Sequence, residues 1–318
     1  MIKAQWASAR DREEIIDFID FVFSKSKRPH DFETMLPRLY APSANASEHH
    51  YILREEGRII AAVLALPIRL NVRGETLTAL GVGSVSVHPR ARGRGYMHLL
   101  MQAVDDRAKA MQADFAFLGG QRQRYGYYGY RYDGRRLEAL ITPDNVRHAF
   151  PRTDALPLVL RAMSSEDLSA AHALHSAQSV RCERRLQDFD AIIRSWDSTP
   201  FVLEQDGVFA GYGTHNIFGG ACHIGELLLK DEALLPSAIR LLSASHGPLA
   251  MTCAPWETQR TRLLTDAAQR ANVTFAHCIK HYRKEHTLSV CGGLGADNPY
   301  LASFGATLPL SIPSPDCV

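Results

Sequence analysis

Residues 79–97, ALGVGSVSVHPRARGRGYM, constrain the chain more than any other stretch. Ala79 to Val87 is small, apolar and β-branched, polar only at Ser84 and Ser86, and reads as a strand. Pro89 stops it. The segment that follows sets Gly93 and Gly95 among Arg90, Arg92 and Arg94. From Tyr96 the pattern YMHLLMQAVDDRAKAM places Met97, Leu100, Met101 and Val104 on one helical face. A strand that runs through such a loop into a helix aims several backbone N–H groups at one point, where the helix dipole adds positive charge. Glycine lets a ligand approach the main chain, and arginine favours a phosphate there. The spacing is not that of the common nucleotide loops: neither G-x-x-x-x-G-K-[ST] nor a G-x-G-x-x-G opening a βαβ unit is present. The plain alternative is an ordinary strand-to-helix turn with surface arginines.

A second signature follows. Residues 113–120, ADFAFLGG, read as a short buried strand ending in two glycines, and QRQRYGYYGYRY comes next. Tyr127, Tyr128 and Tyr132 read as a stack of rings that holds a turn together.

Together, V-S-V-H-P-R-A-R-G-R-G-Y-M and the tyrosine run closely resemble two motifs of the GNAT acetyltransferases. The resemblance implies an α/β mixed-sheet fold in which two central strands splay to admit the pantetheine arm of acetyl-CoA. It implies that Val85, Ser86, Val87, Arg92, Gly93, Arg94, Gly95, Tyr96, Met97 and Gly120 bind that co-substrate. Met97 departs from the family's usual Gly or Ala. Tyr125, with Gly129 and Tyr130, matches the later motif, although Arg124 stands where an aromatic is usual. By this resemblance Tyr125 protonates the departing thiolate, a task a positioned phenol can perform. The backbone N–H near Val85 would hold the developing oxyanion.

The rest of the chain is read for organisation. Its 318 residues are 46% hydrophobic and 22% charged, enough for two domains with their own cores. A net charge of +2 makes nucleic acid or membrane an unexpected main partner. The opening MIKAQWASARDREEIIDF carries charge where a signal peptide is apolar, and no run is long enough to span a bilayer, so a cytoplasmic protein is expected. Six cysteines fall in the second half without C-x-x-C or zinc spacing. They read as reduced, mostly buried thiols, and no metal is expected.

Residues 10–24 form an amphipathic helix, and a second helix is expected over 30–40. Three strands then meander through turns at Glu56-Gly57 and Arg73-Gly74. The proline-rich segment 143–157 suggests a boundary. The expected division is a catalytic GNAT domain over 1–150, a degenerate GNAT-like domain over 155–285, and an extended tail over 286–318. In the second domain GELLLK leads into DEALLPSA, with no Gly/Arg loop, so the repeat keeps the architecture and not the phosphate site. The tandem and the RYGYYGY run resemble the Eis-like acetyltransferases. That resemblance implies that the companion domain walls the acceptor site, and that the terminal carboxylate of Val318, with Asp316, accepts the acceptor's proton. The tail is too short for the third domain that often follows in that family.

The expected function is transfer of an acetyl group from acetyl-CoA to a small-molecule or peptide amine. A non-catalytic acyl-CoA-binding module is the alternative. Asp17, Asp20 and Glu33 are carboxylates that could border the acceptor, though solvated helix faces explain them equally well. The identity of the amine and any homo-oligomer stay open.

Overall fold

The computed structural model describes residues 2–25, 29–120, 122–151, 156–298, 310–312 and 316–317. The chain forms two compact units. Unit 1 is Met1–Tyr132 with His277–Val290 and Asp316–Val318, and unit 2 is Asp133–Ala276 with Cys291–Pro315. In chain order the elements begin β1 (Gln5–Trp6), α1 (Arg12–Ser24), α2 (Phe32–Met35), α3 (Pro37–Tyr40) and β2 (His50–Glu55). Next come β3 (Arg58–Val72), β4 (Glu75–Val87), α4 (Tyr96–Ala110), β5 (Phe115–Leu118) and α5 (Arg122–Tyr125). Then follow β6 (Arg131–Ile141), α6 (Pro143–Ala149), β7 (Val159–Ala162), α7 (Leu168–Ser176), β8 (Val180–Cys182) and α8 (Leu186–Ile193). The series closes with β9 (Thr199–Gln205), β10 (Val208–Phe218), β11 (Ala221–Leu229), α9 (Leu235–His246), β12 (Leu249–Cys253), α10 (Thr258–Ala267), β13 (Arg270–His281) and α11 (Lys284–Cys291).

In unit 1, β2, β3 and β4 form the expected antiparallel meander. Glu56 and Gly57 join the first pair and Arg73 and Gly74 the second, all four at positive φ. Two-residue loops of this hand match the right-handed twist of the strands. Helix α1 buries Ile15, Ile16, Phe18, Ile19 and Val22. The helix expected over 30–40 is instead two single turns, α2 and α3, broken at Leu36. Pro37 is the cause, since a residue before proline is pushed out of the helical region, and Leu36 sits at φ −134°. Helix α4 lays Leu100, Met101, Val104 and Ala108 on a core that includes Leu53, Ala61, Val63, Leu80 and Val82. Each fully buried leucine, valine or methionine among them stabilises the fold by about 1.5–3 kcal/mol.

The last strand, β13, divides between the units. The end of β13 pairs antiparallel with β5 in unit 1, Cys278 opposite Leu118 and His281 opposite Phe115. Conversely, β6 runs from Arg131 into unit 2, where it pairs with β12. Neither unit is therefore one continuous piece of chain, and the change of unit falls at Tyr132, ahead of the proline-rich segment.

Asp114 ties the returning segment down. Its side chain is 1% exposed, accepts the Thr78 N–H at 2.8 Å, and meets His286 Nδ1 at 2.7 Å and an Arg283 guanidinium nitrogen at 3.4 Å. Its carbonyl accepts the N–H groups of Tyr282 and Arg283. Asp105 accepts from Lys280 Nζ and from the Tyr282 hydroxyl, each at 2.5 Å.

In unit 2, β9 and β10 turn at Asp206-Gly207, and β11 pairs parallel with β12. Helix α9 stands between β11 and β12 in sequence, as α4 stands between β4 and β5, so the order of unit 1 recurs. Residues 284–291 are a helix, not the extended start of a tail. Leu310 and Ile312 are buried, and the Leu310 carbonyl accepts the Arg135 N–H at 3.1 Å. Gly134, at φ +71°, makes that approach feasible: a Cβ there would lie 2.5 Å from the same carbonyl oxygen. Cys182, Cys222, Cys253, Cys278 and Cys291 are buried thiols.

Asp114→Ala removes a buried carboxylate that three donors address. It should lower the unfolding free energy by about 1.5–3 kcal/mol, the usual worth of hydrogen bonds to a charged group. Urea denaturation with an unchanged midpoint would contradict the anchoring role.

Candidate active site

The site is built where two parallel strands part. β4 and β5 pair from Ala79–Phe115 to Gly81–Phe117, while β4 continues to Val87. On its other edge β4 slips register: Leu64 faces Gly83 and Ala62 faces Ser86, leaving Ser84 and Val85 both opposite Val63. This is a β-bulge, which interrupts the ladder and re-aims the backbone.

Ser84 sits at φ +48°, a left-handed conformation in a non-glycine residue that costs of order 1–3 kcal/mol. Its hydroxyl lies 2.7 Å from the Tyr40 hydroxyl, which also lies 3.1 Å from His50 Nε2. All three residues are buried, and burial pushes the Tyr40 phenol well above its ordinary value. A buried polar network of this kind fixes one backbone geometry, here at the residue before Val85. Ser86 turns its hydroxyl to the Ala62 carbonyl at 3.4 Å, and Val85 and Val87 are half-buried.

Beyond Val87 a single 3-10 turn, Pro89–Ala91, leads into the Gly/Arg loop. Gly93 and Gly95 stand at φ +78° and +79°, and Gly95 caps the start of α4. Left-handed residues in such a turn gather successive N–H groups into a concave nest. The first N–H groups of α4 have no partner inside the helix. A Cβ added at either glycine meets nothing within 4 Å, so the outer face of the loop has room for a ligand. Arg92 is exposed. Arg94 makes a two-pronged pair with Glu55 at 2.6 and 2.9 Å, and the Tyr96 hydroxyl donates to the same carboxylate at 3.3 Å. The Arg94 hydrogen bonds hold the Glu55 carboxyl below its usual range. Arg94 and Tyr96 thus brace the loop through their side chains. Met97 packs partly buried against the α4 core.

After Gly120 the chain makes the single turn α5, which ends at Tyr125. Tyr125 is 7% exposed and packs on Gly120: a Cβ there would lie 2.7 Å from the ring. Its ring meets Tyr130 edge-on at 6.3 Å. Burial pushes the phenol up, with the neighbouring Arg124 pulling partly against it, so Tyr125 keeps its proton at neutral pH. Cys278 Sγ donates to the Gly120 carbonyl at 3.7 Å, and the Lys280 side chain crosses Gly129. Those two residues escaped the sequence reading, because they lie on β13, far away in the chain. Tyr127 is 89% exposed and does not hold the turn as expected. Tyr128 faces the His98 ring at 6.1 Å.

Among the three early carboxylates, Asp17 is exposed and Glu33 is paired with Arg12. Asp20 is half-buried and accepts the Phe32 N–H at 3.1 Å, and burial raises its carboxyl above the usual range. Asp316 is buried, and Val318 lies outside the described residues.

Removing the Tyr40 hydroxyl isolates its network. Tyr40→Phe should cost about 1–3 kcal/mol, the penalty of leaving buried partners unsatisfied. It should also speed hydrogen exchange at the Ser84 and Val85 amides relative to the rest of β4. Uniform exchange rates along the strand would show that the network does not hold the bulge.

Residues 4–132 match the family model described as an acetyltransferase (GNAT) domain. No curated protein matches the chain. Several solved structures share the fold. A conserved protein of unknown function from Enterococcus faecalis V583, described as a probable N-acyltransferase, gives a TM-score of 0.68 at 16% identity, over 89% of this chain and 73% of its own. Eis1 from Mycobacterium abscessus gives 0.63 at 13% identity, over 91% and 76%. Saccharomyces cerevisiae N-myristoyltransferase with bound myristoyl-CoA gives 0.52 at 13%, over 88% and 82%. At such identities the likeness is one of fold, and it extends over most of the chain. Among the described residues no helix is long and apolar enough to cross a membrane.

Proposed function

We propose that this chain, whose residues 4–132 match the model of a GNAT acetyltransferase domain, is an acyltransferase that moves the acetyl group of acetyl-CoA directly to a primary amine. The observation that carries the reading is the left-handed Gly93/Gly95 nest, placed one turn beyond the bulge where β4 has parted from β5. The nest and Arg92 receive the pyrophosphate. The parted strands admit the pantetheine arm alongside Val85, Ser86 and Val87.

In this reading the amine nitrogen attacks the thioester carbonyl, forming the C–N bond. The Val85 N–H donates to the oxygen as it gains charge. The C–S bond then breaks, Tyr125 gives its proton to the leaving sulfur, and the proton that the nitrogen sheds on becoming a neutral amide restores the phenol. The attacking ammonium must first lose a proton, and Asp20, with its raised carboxyl, is the early-helix carboxylate best suited to take it. Holding both reactants in one geometry replaces a bimolecular encounter with a positioned one. Gly120 matters here as packing, because any larger residue would push the Tyr125 ring.

Release of coenzyme A with a panel of amines tests the proposal directly. Tyr125→Phe should retain acetyl-CoA affinity and lower turnover about 100- to 10,000-fold, the usual contribution of a general acid. A variant with normal turnover and a lower melting temperature would make Tyr125 structural. Binding of acetyl-CoA without release of coenzyme A to any amine would make the chain a binding module.

Arg92→Ala should weaken acetyl-CoA by about 1.5–3 kcal/mol, or roughly 10- to 100-fold. Calorimetry showing unchanged affinity would remove Arg92 from the pyrophosphate site.

The pH profile follows from the direction of the Tyr125 shift. A proton donor works while protonated and fails as pH rises through its folded pKa, which burial moves upward from the ordinary phenol value of 10.0. Turnover at saturating amine should hold its plateau to at least that pH. A descending limb near pH 8 that disappears in Tyr125→Phe would contradict the upward shift of the phenol.

A further inference from the structure

One chain of hydrogen bonds in unit 1 runs from the β-bulge into the interior. The Ser84 hydroxyl lies 2.7 Å from the Tyr40 hydroxyl, which lies 3.1 Å from His50 Nε2. The chain that braces the bulge is thus also a continuous path for a proton. Tyr40 and His50 are 1% and 0% exposed, while Ser84 keeps 8% of its surface and forms the outer end.

The donors fix what the path can carry. Tyr40 has one O–H, so it donates to one neighbour and accepts from the other. A bare imidazole nitrogen only accepts. With His50 Nε2 bare, Tyr40 donates to His50, Ser84 donates to Tyr40, and the Ser84 oxygen keeps a lone pair for an incoming N–H. Every proton then points inward. Burial pushes the Tyr40 phenol well above its ordinary value, and the charge of Asp20 adds to the rise, so Tyr40 passes a proton on rather than resting as a phenolate. Asp20 accepts the Phe32 N–H, and the Phe32 ring meets the Tyr40 ring edge-on at 5.5 Å. A carboxylate beside the path offsets the cost of a buried imidazolium.

The position suits the reaction. In the acetyl-transfer reading the Val85 N–H donates to the thioester oxygen, and the amine nitrogen bonds to the carbon that bears it. Ser84 is one peptide bond from that N–H. We propose that Ser84, Tyr40 and His50 carry away the proton that the acceptor ammonium must lose before it attacks. The ammonium gives a proton to Ser84 Oγ as the Ser84 proton moves to Tyr40 and the Tyr40 proton to His50 Nε2. The amine keeps the lone pair that forms the C–N bond, and His50 ends as the imidazolium. The proposal rests on the acetyl-transfer reading and makes His50 the base, with Asp20 as its counter-charge.

The test compares two acceptors of like shape in coenzyme A release at pH 7. They are the best alkylamine of the panel and its aminooxy counterpart, as propylamine and O-ethylhydroxylamine are. The alkylamine is an ammonium at that pH, and the aminooxy compound is already neutral. His50→Gln keeps a side chain that can hydrogen-bond Tyr40 and removes the base. Its kcat/KM for the alkylamine should fall about 100-fold or more, the usual contribution of a general base, and for the aminooxy compound no more than about threefold. Ser84→Ala should show the same split. Equal losses on both acceptors would make the chain a brace only, and an unchanged alkylamine rate in His50→Gln would return the proton to Asp20; either result overturns the path. So would a proton on His50 Nε2 in the free wild-type protein at pH 8, read from its nitrogen shifts by NMR, a measurement that needs no variant to fold. Acetyl-CoA binding without release of coenzyme A to any amine would overturn the acetyl-transfer reading itself, and the path with it.

Discussion

The candidate active site depends on a single backbone event, the departure of β4 from β5 after Gly81. Two parallel strands that stop pairing leave main-chain groups without ladder partners, and such groups must find partners elsewhere. On the β3 side the ladder is interrupted in the same region, at Ser84 and Val85. The cost is borne locally by the Tyr40–His50–Ser84 network, which holds a serine where a glycine would rest more easily. The outcome is a strand segment whose backbone is turned to a cleft and held there. Strain of this sort persists only where its surroundings over-determine it.

Around that event the fold places chemistry from three distant parts of the sequence. The Gly/Arg loop follows β4 directly, so the glycine nest and the bulge are separated by a fixed, short path. Tyr125 follows β5, and Gly120 sets its ring position by lacking a Cβ. The third part comes from the end of β13, whose pairing with β5 brings Cys278 and Lys280 beside the tyrosine turn. Asp114 and Asp105 secure that return through charged hydrogen bonds. Unit 1 is therefore completed only by residues 277–290, a non-local contact expected to form late in folding.

What the sequence made legible was local. Glu56-Gly57 and Arg73-Gly74 marked the hairpin turns, periodicity marked α1 and α4, and the spacing of Val85, Pro89, Gly93 and Gly95 exposed the loop. Pro37 was equally legible in principle, and its effect on the helix at Leu36 is the ordinary one. What stayed hidden was set by tertiary pairing. Nothing in residues 277–281 says that they pair with β5, since any alternating apolar strand would read the same way. Tyr40, His50 and Ser84 are far enough apart that only the folded chain joins them. Tyr127, read as packing, is exposed, because a three-residue turn cannot bury every ring it carries.

Unit 2 shows how the same scaffold changes its chemistry. The order of strands and helices recurs, but the glycine nest is replaced by a segment that starts α9 at Leu235 behind Asp231 and Glu232. The two strand openings therefore differ in their lining, glycines and arginines beyond β4 in one, and Glu226, Glu232 and Glu257 beside Arg181 and Arg260 in the other. A crystal structure of the full chain with acetyl-CoA tests that contrast most directly. The account predicts the pyrophosphate over the N–H groups of residues 93–97, with the thioester oxygen within hydrogen-bond distance of the Val85 N–H. Acetyl-CoA seated between β11 and β12, or bound to unit 1 with its thioester away from the bulge, would contradict it.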